Sequence, residues 1–114
     1  MVGQVINFDD FLKVDIRVGE VCRAELYLEA RTPAIKMWID FGPDLGERKT
    51  SAQITVHYTA EDLVGTRVLA VVNFPPRQIG RFMSEVLVLG VTDAAGGVVL
   101  IRPDQQVAIG GRMH

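Results

Sequence analysis

Apolar and polar residues alternate strictly along Ile35-Lys36-Met37-Trp38-Ile39-Asp40-Phe41, the period of two that marks a half-buried strand. Ile35, Met37, Ile39 and Phe41 then face a core, and Lys36, Trp38 and Asp40 face outward. Upstream, residues 16–26 read as a strand in which Gly19 marks a bulge or tight bend, as suits a strand that curls around a barrel. Gly42-Pro43-Asp44-Leu45-Gly46 is dense in turn formers, so residues 48–54 return as the hairpin partner. Residues 67–72 form a compact strand rich in β-branched side chains, broken by Asn73-Phe74-Pro75-Pro76. A long loop then runs to about Ser84. Residues 85–91 form another strand, Asp93 to Gly97 turn, and residues 98–101 give the last strand.

Two short helices interrupt the strands. Asn7 precedes Phe8-Asp9-Asp10-Phe11-Leu12, with acids in the first turn where the helix dipole favours them. Thr59 caps Ala60-Glu61-Asp62-Leu63, and Gly65 stops that turn. Three strands, a helix, two strands and a further C-terminal hairpin make an all-β chain in the order of an OB-fold five-stranded barrel, with extra N- and C-terminal elements. A small sandwich gives similar local patterns, because strand count alone does not fix closure.

A length of 114 residues fits a single domain spanning 1–114. Apolar runs such as residues 68–72 are far shorter than the roughly 20 residues a membrane span needs, so no membrane insertion is expected. Acids near the N-terminus, where a secretory signal carries basic residues, and a single cysteine, Cys22, point to a cytoplasmic protein without disulfides. His57 and His114 form no metal-ligand spacing, and Gly96-Gly97 and Gly110-Gly111 read as turn glycines, so neither metal nor cofactor is expected. Ser51, Ser84 and His57 are the only hint of a hydrolytic triad and nothing specific supports it; no catalytic residue is assigned. With a net charge of −2 the whole molecule does not attract polyanions, so any nucleic-acid site must be a local basic patch.

Such a patch falls where OB-folds bind oligonucleotides. The loop after the first strand carries Arg31, and the loop after the fourth carries Arg77 and Arg81 with no acid between Asn73 and Ser84. Trp38 stands outward beside Lys36, placed to stack on a base, to cover an apolar ligand, or to be buried under a loop or a second subunit. Arg48 and Lys49 lie on the adjoining strand, followed by Ser51 and Gln53. Phe74, Phe82 and Met83 are apolar residues of the long loop, costly to expose, and imply either loop packing or an apolar groove.

The segments Lys13-Val14-Asp15-Ile16-Arg17-Val18-Gly19, Trp38-Ile39-Asp40-Phe41-Gly42, Ser51-Ala52-Gln53-Ile54-Thr55 and Val71 to Gly80, continued by Phe82 to Gly90, resemble the CsaA family across nearly the whole chain. That family is similar in turn to the tRNA-binding domains appended to methionyl- and phenylalanyl-tRNA synthetases, which share a Ser-Glu pair like Ser84-Glu85. Those domains usually continue with Gly-Met, where Val86-Leu87 stand here. The resemblance implies an OB-fold homodimer and a chaperone for unfolded or export-bound polypeptides. Two expectations follow for one face. In the first, Arg31, Lys36, Arg48, Lys49, Arg77, Arg81 and Ser84 contact tRNA. In the second, Trp38, Phe74, Phe82 and Met83 line a cleft for extended peptides. A dedicated tRNA-binding protein without chaperone role is the alternative.

Overall fold

The computed structural model describes residues 2–114. Five strands, β1 (Ile16–Tyr27), β2 (Ala34–Asp40), β3 (Glu47–Ala52), β4 (Arg67–Val71) and, later in the chain, β7 (Leu87–Val88), form one antiparallel sheet in the order β3-β2-β1-β4-β7. The long β1 serves both halves: Ile16 to Glu20 pair with β4, and Glu20 to Tyr27 pair with β2. That double use forces the sheet to curl, giving an OB-type half-barrel.

The bend lies at Cys22, where the β1–β2 register shifts between Val21 and Arg23, and not at Gly19 as the sequence suggests. A bulged residue resets the alternation, so Val21 and Ala24 both join the core while Arg23 and Tyr27 join the opposite face. Gly19 answers a different need. A Cβ there would stand 2.4 Å from Ile39 Cγ2 and 2.7 Å from the Phe41 ring, so the glycine lets two strands close on each other.

The inward residues of β2 are buried as the alternation predicts, and Val21, Val68, Ala70, Val86 and Leu100 complete the core. Helix α2 (Ala60–Leu63) plugs the barrel with Leu63, its first turn fixed by a 3.2 Å hydrogen bond from the Asp62 N–H to Thr59 Oγ1.

Strands β3 and β7 are not laddered to each other, and Ser84-Glu85-Val86 closes the gap. The Lys49 N–H donates to Glu85 Oε1 at 2.9 Å, and the Glu85 N–H donates to the Lys49 carbonyl at 2.8 Å. Thr50 Oγ1 donates to the Val86 carbonyl at 2.7 Å and lies 2.7 Å from Ser84 Oγ. This clasp satisfies an edge strand that would otherwise offer bare backbone groups.

Two segments differ from the sequence reading. The expected loop before Ser84 contains a hairpin, β5 (Arg77–Ile79) and β6 (Phe82–Ser84), turning at Gly80 with φ +62°. The expected strand over 85–91 is divided into β7 and β8 (Gly90–Thr92), the latter pairing with β9 (Val98–Leu100). The break follows from the clasp and hairpin: β7 belongs to the barrel, while β8 leaves it for β9.

The C-terminal tail returns along the first residues of β1, beyond the end of β2: the Val18 N–H donates to the Gly111 carbonyl at 2.9 Å and the Met113 N–H to the Ile16 carbonyl at 2.8 Å. Asp15 pins this arrangement, binding Arg17 Nε at 2.5 Å with Arg112 Nε at 3.6 Å. The hydrogen bond from Arg17, more than the nearby charges, holds the Asp15 carboxyl below the usual carboxylate range. A depressed folded value means that this stabilisation is complete above the ordinary carboxylate range and lost as pH falls through the folded value. The thermal midpoint should therefore drop on acidification below about pH 4. Asp15→Asn should cost about 1–2 kcal/mol at neutral pH and flatten that acid limb, as read by thermal denaturation across pH.

Candidate functional site

The β5–β6 hairpin folds across the outward face of β1 and β2. Tyr27 Oη donates to the Ile79 carbonyl at 2.8 Å, and Phe82 meets both Tyr27 and Trp38 with ring centroids 5.9 Å apart. Tyr27, Ala34 and Phe82 form a second small core, with Trp38 and Ile79 packed against it. The turn must be glycine: besides its positive φ, Gly80 would place a Cβ 2.6 Å from Tyr27 Oη. Phe82 is thus a buried anchor, the loop packing that the sequence offers as one of two readings for it. Trp38 lies on the outward face as expected, but Phe82 packs against it in a T-shaped pair and the Arg23 guanidinium lies 4.1 Å from its ring centroid.

Around this anchor the structure gathers three of the predicted cations. Lys36 Nζ lies 4.4 Å from the Tyr27 ring centroid and 5.1 Å from that of Phe82, and Lys49 Nζ lies 5.1 Å from Phe82. Arg81, at the hairpin tip, shares a cleft of about 410 Å³ with Lys36, Tyr27, Glu29 and Phe82. Among the described residues none of these three cations forms an ion pair with a carboxylate. Ring faces hold the ammonium groups by their quadrupole without neutralising them, which leaves charge available to an outside anion.

Arg31 and Arg77 line a different cleft, of about 570 Å³, on the Ile79 side of the hairpin, together with Ser51, Gln53 and an aliphatic floor. Arg77 also borders a smaller cleft with Phe74 and Ser84. Two predicted contacts have other employment. Strand alternation puts Arg48 on the face opposite Lys49, where its Nε donates to the Leu45 carbonyl at 3.2 Å. The Ser84 hydroxyl is bound to Thr50 in the clasp. The four expected peptide-cleft residues also separate: Trp38 and Phe82 pack together, while Phe74 and Met83 remain exposed.

Tyr27 was missed as a site residue. The only signal for it is its parity on β1, which the bulge at Cys22 inverts. His57 Nε2 lies 2.5 Å from Asp93 Oδ2, which joins the β3–α2 connection to the β8–β9 turn, and the serines 51 and 84 adjoin each other and not the histidine. The hydrogen bond from His57 holds the Asp93 carboxyl below its ordinary range. Burial, then Glu47, pushes the Cys22 thiol up, which disfavours a reactive thiolate. No helix among the described residues is long and apolar enough to cross a membrane.

Comparison with known proteins agrees with this architecture. The family described as "Putative tRNA binding domain" matches residues 16–112. The chain is 38% identical over 112 residues to methionine-tRNA ligase of Porphyromonas gingivalis, covering 98% of this chain but only 16% of that enzyme. Its structure is similar to that of chaperone CsaA from Bacillus anthracis str. Ames, at 50% identity and a TM-score of 0.91, covering 97% of this chain and 100% of that one. It is also similar to the MetRS related protein from Pyrococcus horikoshii, at 28% identity and a TM-score of 0.86, covering 98% and 100%. With a matching family pattern over most of its length and a barrel of the same shape, this chain belongs to the tRNA-binding domain family.

Proposed function

We propose that this chain is a single-domain, non-catalytic, cytoplasmic tRNA-binding protein of the CsaA type, whose RNA site is the outward face of β2 and β3 beside the β5–β6 hairpin. The observation that carries this reading is the convergence of Lys36, Lys49 and Arg81 about Phe82. Lys36 and Lys49, already ordered on aromatic rings, lose less freedom when a phosphate arrives, so their charge is both local and prepaid in entropy. Sequence-independent backbone contact by three cations predicts that log affinity for bulk tRNA falls against log salt with a slope of about −2 to −3. Filter binding between about 50 and 200 mM salt measures this. A slope near zero would contradict the site.

The protein is read as a homodimer, in which each protomer offers one three-cation site, so the slope of about −2 to −3 is that of one protomer engaging one tRNA. Helix α1 (Phe8–Leu12) buries none of its residues, and Val91 and Val99 of the paired β8 and β9 are also exposed, so these elements are the proposed interface. A second reading, a chaperone for unfolded or export-bound polypeptides, is favoured by the 50% identity to chaperone CsaA and by the aliphatic cleft under Arg31 and Arg77.

A further inference from the structure

We infer that the cleft between Arg31 and Arg77 receives the free carboxyl terminus of a polypeptide that ends in aliphatic side chains. This rests on the polypeptide-binding reading and gives it a place and a ligand chemistry. The floor is built by Ala34, Ile54, Leu87, Val98 and Leu100, drawn from β2, the segment just after β3, β7 and β9. Neither an aromatic ring nor an acidic side chain lines it. Bases bind where rings offer stacking and where cations follow a backbone, and this cleft has two arginines and aliphatic walls. Its chemistry suits one compact anion attached to an apolar chain.

Two guanidinium groups match a carboxylate better than a lone ammonium would, because each can offer two parallel N–H donors. Neither Arg31 nor Arg77 forms an ion pair among the described residues, so a ligand carboxylate need displace no internal partner. Thr32, Ser51 and Gln53 stand along the same lining, where they can serve the amide groups of a peptide. A bare acyl chain would have no use for them. Ile79 lines this cleft and Phe82 lines that of the cation cluster, so the peptide and RNA sites are separate clefts that border one hairpin.

The test uses a fluorescein-labelled hexapeptide of alanine and leucine with a terminal leucine, prepared as the free acid and as the C-terminal amide. Anisotropy titration should show the acid binding about tenfold tighter than the amide, the loss expected for a charge-assisted pair. The double variant Arg31→Gln, Arg77→Gln should keep its thermal midpoint and bind both forms alike. Dodecanoate should displace the peptide poorly, and tRNA should leave it bound.

Equal binding of acid and amide by the unaltered protein would overturn the inference, as would an acid preference that survives the double substitution. Dodecanoate binding without peptide binding would overturn the polypeptide occupant, and displacement by tRNA would overturn the separation of the two sites. An unfolded, carboxymethylated protein serves as the broader probe. If it binds without any carboxyl-terminal preference, only this inference falls; if it does not bind either, the polypeptide reading falls as well.

Discussion

Gly19→Ala is expected to lower the unfolding free energy by about 3 kcal/mol, at the upper end of overpacking effects. The added Cβ would enter at 2.4 Å from Ile39 Cγ2 and within 2.9 Å of two Phe41 ring atoms, and both residues are essentially fully buried. Neither can retreat without disturbing Met37, Val21 and Val68 in the same close-packed cluster. For a chain of this length the thermal midpoint should fall by about 10 °C. Thermal unfolding followed by circular dichroism decides the matter. A loss below about 0.5 kcal/mol, the level of a neutral surface change, would mean that β1 and β2 do not close on each other at Gly19 as described.

Glu85→Ala should cost about 2 kcal/mol, the penalty for removing a charged acceptor from a partly buried N–H. The Lys49 N–H would be left on an edge strand with no acceptor, although the reciprocal bond from the Glu85 N–H survives because it is made by backbone. Glu85→Gln keeps an oxygen at the same reach and should cost less than half as much. Ser84→Ala removes the hydroxyl beside Thr50, and its cost should not add to that of Glu85→Ala, because both act on the same β3 edge. Urea unfolding of the two single variants and the double variant measures the coupling. Strict additivity would show that Ser84 and Glu85 do not act as one clasp.

The barrel was legible in the sequence because its central hairpin announces itself: strict alternation over residues 35–41, a glycine-bounded turn and a capped helix before β4 leave few other arrangements. The bulge was not legible at its true position. Cys22 is an ordinary strand residue, and its bulging shows only in the pairing of β1 with β2, which is a property of two strands together. Gly19 suggests the bend for the same reason, since a glycine at a close approach and a glycine at a bulge look alike in one chain.

That misplaced bulge hid Tyr27, and with it the hairpin's docking point. Arg77-Gln78-Ile79 and Phe82-Met83-Ser84 are too short to signal strands, and they are stabilised by Phe82 entering a small core supplied by other elements. Candidate cations were easier to find than to sort. Lys36, Lys49 and Arg81 meet at one anchor, whereas Arg48 points to the opposite face of β3, a separation already implied by the period of two. The sequence shows the chemistry of Ser84 but not its use, which depends on the partner opposite, here Thr50 on β3.

We propose that RNA is held by the cations around the hairpin anchor. The most direct test is the affinity of the Lys36→Ala, Lys49→Ala, Arg81→Ala triple variant for bulk tRNA, measured across salt beside the unaltered protein. Three lost phosphate contacts should weaken binding by at least about tenfold at low salt and reduce the salt slope by about 2 to 3. Affinity and slope equal to those of the unaltered protein, in a variant with an unchanged thermal midpoint, would place the RNA site elsewhere and contradict the account.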